Sequence, residues 1–576
     1  MRRLFEAVCI ATCLTVTAFV LGCANQMAPG GGPQDVDPPF VLWSDPPNFS
    51  TQFDKSQIRL TFNEFVKLKQ ASQQVLISPP MKKNPDFSLK GKSVIINLQE
   101  DLLPNTTYSI FFGNAIVDIT EENPLANFLY VFSTGDYVDS LSIAGEVVNA
   151  FTLKPEENIF VMLFSLSNDT VPVDSLPVKV RPLYVAKTNK EGQFRLQYLR
   201  NEPMKLFALK DMNSNYLFDI PEEEIAFEEL PITPEIPKNI ETDTAAQIFA
   251  DSVKVSEMYD TFYRLRLFHQ KDSTQRRLTA DGIYPPGFLL TYRYGLKAPS
   301  FSLLDSTVTG PWFINELNQG RDSLRVWITQ PVPDSLKIRV IDGEIFADTV
   351  QVVLPEKKPA ETSRRRGAEE SKPERLFISS TVKARLLELH TPLNLKFDHP
   401  VIRSDNSGIA LFTENDTLTG LNFIPTDSIG RIWKPDFDLE EETLYNLVIP
   451  DSTFFNIYEQ TNDSTIIAFR TRKTSDYGNL YITMQLPGEP YPYILQLLNS
   501  KDKVVREVII TQPGEVSLLL LDPAIYRLKA IRDKHTNGRW DTGVYFDKRQ
   551  PEDVFFFPKE LQVRANWDIE EVWTIE

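Results

Sequence analysis

Two short stretches carry oxygen-bearing side chains at a spacing that can wrap a hard cation. Residues 211–222 read DMNSNYLFDIPE, with Asp211, Asn213, Asn215, Asp219 and Glu222 at positions 1, 3, 5, 9 and 12. Calcium takes six to eight oxygens, and a loop can supply them from those positions together with the carbonyl of residue 7, here Leu217. Tyr216 stands where the helix–loop–helix calcium loop has glycine, and the flanks read as strands. The second stretch, DKHTNGRWD, offers Asp533, Asn537 and Asp541 and has Gly538 in the turn. Its position 3 is His535 and its position 12 is Val544. Each stretch follows a similar phrase, Ala208-Leu209-Lys210 or Ala530-Ile531-Arg532. Calcium is the one cofactor these residues suggest, at the low affinity of sites with few carboxylates. The alternative is a long hairpin whose Asn and Asp side chains bond their own backbone, with Phe218 or Trp540 tucked into the domain.

Catalytic chemistry has no comparable pattern. The chain lacks G-x-S-x-G, H-E-x-x-H, a P-loop and a dinucleotide fingerprint. His269, His390, His399 and His535 are scattered, with none at metal-ligand spacing, and runs such as Glu222-Glu223-Glu224 are what an acidic chain offers by composition. The expectation is a protein that is not an enzyme.

A dispersed tripeptide, Asp then Ser or Thr then a small apolar residue or Thr, recurs along the chain. It places hydroxyls at Ser140, Thr170, Ser175, Ser252, Ser306, Ser323, Ser335, Thr349 and Thr417, among others. The pattern resembles an acceptor motif for general O-glycosylation of exported proteins in some Gram-negative bacteria. Asp-Ser and Asp-Thr are equally the residues of turns that lead into strands.

Near the start, Arg2 and Arg3 precede an apolar stretch from Ala7 to Leu21, shorter than the roughly 20 residues a bilayer span needs. It reads as a signal peptide over residues 1–22. It ends Phe19-Val20-Leu21-Gly22-Cys23, which resembles the bacterial lipobox. That resemblance implies cleavage before Cys23 and a lipid on its thiol, so the protein is expected to be held on the outer membrane by that lipid, on its periplasmic or cell-surface face. The other cysteines, Cys9 and Cys13, fall within the removed segment, so no disulfide is expected and stability must come from apolar cores. The net charge of −18 argues against nucleic acid as a partner.

The elements that must position these residues read as strands. From Pro38 on, short alternating runs such as Ile58-Arg59-Leu60-Thr61-Phe62 and Tyr108-Ser109-Ile110-Phe111-Phe112 are broken by Pro, Asn, Asp and Gly. Forty-one prolines and almost no helical period predict an all-β chain of tandem sandwiches with few helices. Residues 23–37 read as a flexible tether. Residues 355–375, charged and without large apolar side chains, read as a disordered linker whose cutting should leave two independent halves. The halves share a layout: the 58–66 strand resembles 393–401, Leu103–Tyr108 resembles Leu439–Tyr445, and Phe132-Ser133-Thr134 resembles Phe469-Arg470-Thr471.

The Pro38-Pro39 start, LTFNE, LLPNTTYSIFF and the closing FSTG together resemble the bacterial Ig-like domain of surface-layer proteins and envelope lipoproteins, over residues 38–138. A divergent copy is expected at 376–475. The GEV opening, TNKEGQFRL and MKLFALKD resemble a transthyretin-like or carboxypeptidase-regulatory-like sandwich over 139–238, and IYRLKAIRD marks a similar domain over 476–576. Residues 239–354 form an unassigned β domain. The resemblance implies a non-catalytic scaffold or binding partner in an envelope assembly, with an outer-membrane protein complex or a surface polymer as the partner. The alternative is a carbohydrate-binding or adhesive surface protein, which exposed platforms among Trp312, Trp327, Trp433, Trp540, Trp567 and Trp573 would favour.

Overall fold

The computed structural model describes residues 35–167, 171–238, 255–270, 274–284, 286–304, 308, 310–343, 346–355, 374–488 and 491–575. Over these the protein is nearly all β, with helical pieces of about one turn such as Ala71–Gln74 and Leu176–Lys179. No helix among the described residues is long and apolar enough to cross a membrane. Two compact units emerge, Met1–Gln270 with Gly543–Pro551, and Lys271–Thr542 with Glu552–Glu576.

The first unit opens with a sandwich. Strands Val41–Asp45, Gln57–Phe62, Ser93–Asn97 and Asp86–Lys90 pair in that order, and Leu76–Ser78, Thr107–Phe111 and Leu129–Ser133 form a second sheet. Period-two alternation builds the core: Ile58, Leu60 and Phe62 are fully buried while Arg59 and Thr61 are not. They meet Tyr108, Ile110, Tyr130 and Phe132 from the other sheet.

The second sandwich is one seven-stranded sheet, folded over so that Tyr184 at one edge and Phe194 at the other share a core. Its order is Tyr184–Lys187, Phe160–Ser165, Met204–Lys210, Glu224–Phe227, Phe262–His269, Leu141–Asn149 and Gln193–Leu199. The boundary expected at 238/239 is therefore wrong. Phe262–His269 is an interior strand, parallel to Leu141–Asn149 from Ala144 to Asn149, and the domain runs on to Gln270. Gly543–Pro551 also belongs to this unit. Tyr545 lies edge-on to Phe207 and Phe227, with ring centroids 5.8 and 5.4 Å away, and its hydroxyl donates to the Asp174 carbonyl at 3.0 Å.

Among its described residues the second unit holds three sandwich cores. Residues 274–355 form a two-sheet sandwich around Phe288, Leu290, Val326, Ile338 and Val350. Residues 376–471 surround Leu395, Phe397, Leu447 and Phe469, and residues 478–575 surround Leu480, Leu495, Leu528 and Trp573. The expected division of the chain at 355–375 is not where the units part. Side chains on either side of that stretch hold the first two of these cores together: Arg431 Nη1 reaches both Glu316 oxygens at 3.0 and 2.9 Å, and Trp327 packs edge-on to His399. Residues 356–373 and most of the tether lie outside the described residues.

The duplication is visible bond by bond. In the first Ig-like sandwich Leu103 N donates to the Tyr108 hydroxyl at 2.8 Å, Thr106 N donates to Thr134 Oγ1 at 2.9 Å, and Thr134 Oγ1 donates to the Leu103 carbonyl at 2.7 Å. In the later copy Glu440, Tyr445, Thr443 and Thr471 make the same three bonds at 2.8, 3.0 and 2.6 Å. Tyr108 stacks on Phe132 and Tyr445 on Phe469, each at 5.3 Å. The structure thus equates Leu103 with Glu440, one residue later than the match to Leu439 that the sequence suggested.

Candidate metal centre

Both oxygen-rich loops leave an interior strand of a β-sandwich, Met204–Lys210 or Ile525–Arg532. Each sandwich has a parallel pairing, Leu141–Asn149 with Phe262–His269 and Gly478–Gln485 with Asp568–Thr574. Past the strand, each chain turns back through two left-handed residues, Ser214 and Tyr216 with φ of 60° and 63°, and Thr536 and Gly538 with φ of 51° and 72°. Tyr216 takes this conformation despite its side chain, at a cost of order 1 kcal/mol.

An aspartate folds each turn. Asp211 Oδ1 accepts from Asn213 N and Ser214 N at 3.1 and 2.6 Å, and Oδ2 accepts from Tyr216 N at 2.7 Å. Asp533, 1% exposed, accepts from Asn537 N and Gly538 N at 3.1 and 2.7 Å. An asparagine closes the loop onto the second aspartate: Asn215 Nδ2 donates to Asp219 Oδ2 at 2.8 Å, and Asn537 Nδ2 to Asp541 Oδ2 at 2.6 Å. Asn213 Nδ2 adds a bond to Asp219 Oδ1 at 3.2 Å. Burial, with the Asp211 charge beside it, raises the Tyr216 phenol.

The twelfth position differs from expectation. Glu222 is exposed, and Glu223, fully buried, turns inward instead. Its Oε1 accepts from Met212 N at 3.1 Å and its Oε2 from Asp219 N and Ile220 N at 3.1 and 3.2 Å. Glu222 lies in the turn ahead of Glu224–Phe227, and Glu223 is the residue whose N–H closes that turn onto the Ile220 carbonyl at 3.1 Å. In the second loop Glu552, 1% exposed, takes this role, its Oε2 accepting from Asp541 N at 2.9 Å. Val544 belongs to the other unit and supplies nothing here. Sequence reading missed both glutamates, yet each stands two residues before the strand apolar residue, Ile225 or Val554, that pairs with Leu209 or Ile531.

The two loops differ in donor chemistry. The first holds only oxygen donors, Asp211, Asn213, Asn215, Asp219 and Glu223, the ligand type calcium takes, but among the described residues its three carboxylates do not form a group within 4.8 Å of one another. The second adds an imidazole, with His535 Nδ1 2.9 Å from Glu552 Oε1 and 3.2 Å from Asp541 Oδ2. These three groups lie within 4.8 Å of one another. A histidine with two carboxylates is a set for zinc rather than for calcium. His535 was expected to stand apart from other ligands, and Glu552, 17 residues on, brings it into a cluster. In both loops the carboxylates are satisfied by backbone N–H groups or asparagine amides, as in the hairpin alternative, and Phe218 is buried while the Trp540 indole donates to the Glu552 carbonyl at 3.1 Å.

Other candidate residues are dispersed. Cys23 lies outside the described residues, as do Thr170, Ser252 and Ser306. Ser140, Ser335, Thr349 and Thr417 are exposed, and Ser175 and Ser323 are half-buried. Of the tryptophans offered as platforms, Trp312, Trp327, Trp433 and Trp573 are core residues, Trp540 is half-buried and Trp567 is exposed.

No curated protein matches the chain. Among solved structures it is similar to the major pilin subunit of Bacillus cereus at 10% identity, over 75% of this chain and 99% of that one, with a TM-score of 0.14. It is similar to surface layer protein SbsC, domains 1–6, at 10% identity over 91% and 67%, with a TM-score of 0.13. A Bacteroides ovatus mixed-linkage glucan utilization locus protein, SGBP-B, in complex with a mixed-linkage heptasaccharide, is similar at 11% identity over 66% and 89%, with a TM-score of 0.16. Superpositions this loose transfer no role. The opening sandwich is where a family is matched: residues 35–134 fit the model of the bacterial Ig-like domain.

Proposed function

We propose that this chain is a non-catalytic envelope lipoprotein, anchored to the outer membrane through Cys23, whose sandwiches form a scaffold for a surface protein assembly. The observation that carries the reading is the pair of side-chain-bonded junctions between an Ig-like sandwich and the transthyretin-like sandwich after it. In the first unit Arg200 Nη2 donates to the Asn105 carbonyl at 2.6 Å and to Thr106 Oγ1, Arg181 Nη1 to the Met81 carbonyl at 2.9 Å, and Val185 N to Ser78 Oγ at 3.0 Å. In the second, Glu388 accepts from the Tyr477 hydroxyl at 2.6 Å and from Arg472 Nη1 at 2.9 Å, and Arg472 also reaches Asp522 at 2.6 Å. Junctions bonded in this way favour a spacer that holds its domains in fixed order over one that swings them.

Cys23→Ser is expected to move the protein from the membrane to the soluble fraction, or to leave it uncleaved, because no described helix can span a bilayer. A cleaved variant that stays on the membrane overturns the anchor. Pull-down of the native lipoprotein from gently solubilised membranes should recover an outer-membrane protein in fixed stoichiometry. Recovery of the chain alone, or with glycan only, overturns the scaffold.

A further inference from the structure

Where the two sandwiches of the first unit meet there is a cavity of about 90 Å³. Leu76, Phe111, Leu129 and Leu196 give it an apolar wall. Among the described residues no aspartate or glutamate lines it, in a chain of net charge −18. Two cations do line it, Lys187 and Arg195.

Lys187 is provided for. Its Nζ donates to the Gln73 carbonyl at 3.2 Å and lies 4.5 Å from the centre of the Phe160 ring, and while burial lowers its pKa, the Asp211 charge opposes that shift. Arg195 is not. It is 8% exposed, and the one hydrogen bond its guanidinium makes among the described residues is from Nε to the Tyr259 hydroxyl at 2.6 Å. Among the described residues Nη1 is buried without a partner. The tyrosine oxygen is already shared with Ser142 Oγ at 3.0 Å. A guanidinium keeps its charge at any physiological pH, and a buried charge is normally paired, since nothing else replaces the water it has lost.

We propose that this cavity binds a small carboxylate with a short apolar body, its carboxylate taken by the Arg195 guanidinium and its carbons set against Leu76, Phe111 and Leu129. The planar fork of arginine matches the two oxygens of a carboxylate. The volume suits on the order of three to five non-hydrogen atoms, judged by the space liquid water takes per molecule. Lys187 adds a second positive charge on the rim and leaves the guanidinium as the principal anchor.

The test uses the full mature chain and three probes at matched ionic strength: sodium propionate, propylammonium chloride and sodium sulfate. Propionate should give a saturable heat and a saturable rise in Tm, since a ligand of the folded state alone stabilises it by mass action. Propylammonium, with the same carbons and the opposite charge, should give neither, and sulfate should bind more weakly than propionate. Arg195→Gln should weaken propionate on the order of tenfold or more, the usual worth of a hydrogen bond to a charged group, and Lys187→Met should weaken it less. No saturation up to about 50 mM, a concentration at which even a ligand of few atoms binds if its contacts are good, overturns the site. So does sulfate acting as strongly as propionate, or unchanged binding by Arg195→Gln. If that variant fails to fold, the comparison of the three probes on the wild-type chain still decides.

Discussion

Lys529 shows how a single residue sets a pH dependence. It is 3% exposed on Ile525–Arg532, in the last sandwich. Burial lowers its pKa to about 7, with the Asp502 charge opposing. The unfolded chain holds this proton up to about pH 10. Between these values the unfolded state binds more protons than the folded one, so stability rises with pH across the window and is least below 7. Lys529→Met is therefore expected to be more stable than wild type at pH 6, by about 1–2 kcal/mol as when other buried charges give way to apolar groups. The advantage should shrink as pH approaches 9.5. Melting curves of both proteins across that range check this; a gap independent of pH would mean the ammonium is solvated. Thr471, 3% exposed, makes a second case. Thr471→Val strips Thr443 N of its acceptor and should cost about 1–3 kcal/mol, the usual penalty for an orphaned buried group, read as a lower urea midpoint. At the surface, the exposed hydroxyls of Ser140, Ser335, Thr349 and Thr417 are expected to carry glycans in the native host. An intact mass equal to that of the lipidated polypeptide would leave them as residues of the sheets and of the turns that lead into them.

At the scale of elements, the two oxygen-rich loops invite the most direct experiment. Calcium at several millimolar, the range of weak extracellular modules, is expected to raise the melting temperature of the full chain, and Asp219→Ala to abolish the rise. Unchanged melting of the wild type would leave the loop as a hairpin folded by Asp211 and its neighbours. The loops also mark how far sequence reading reaches. Asp211, Asn215, Asp219 and their counterparts were legible because they are local, and one turn fixes their spacing. Glu223 was missed because a residue number does not tell which way a side chain leaves a turn. Glu552 was missed because Gly543–Pro551 separates it from Asp541 in the sequence. The strands themselves were legible wherever Ile58, Leu60 and Phe62 alternate with polar neighbours. Phe262–His269 alternates too, but a parallel partner more than a hundred residues away leaves no local trace.

For the whole molecule, that misplaced strand has a practical consequence. A fragment of residues 139–238 lacks a strand between Glu224–Phe227 and Leu141–Asn149, and with it the core residues Leu265 and Leu267. It is expected to lack a cooperative thermal transition, whereas a 35–270 fragment should have one. Sharp unfolding of the shorter piece would show that the sheet closes without its interior strand. Cutting at 355–375, where composition alone suggests a free joint, is expected to leave the 274–355 sandwich attached to the one that follows, through Glu316 and Arg431. Limited proteolysis followed by gel filtration under native conditions tells the two outcomes apart.

The parallel pairings bear on how these domains answer a pull. In each of the two sandwiches that carry an oxygen-rich loop, an early strand lies beside a late one running the same way, over six registered pairs from Ala144 to Asn149 and seven from Asn479 to Gln485. Shorter parallel contacts occur in the Ig-like sandwiches, Ser50 with Phe132 and Leu386-Leu387 with Arg470-Thr471. Tension entering by one such strand and leaving by the other slides the pair lengthwise, so the rungs between them are strained together instead of one at a time. Domains wired in this way resist stretching better than their thermal stability alone would suggest.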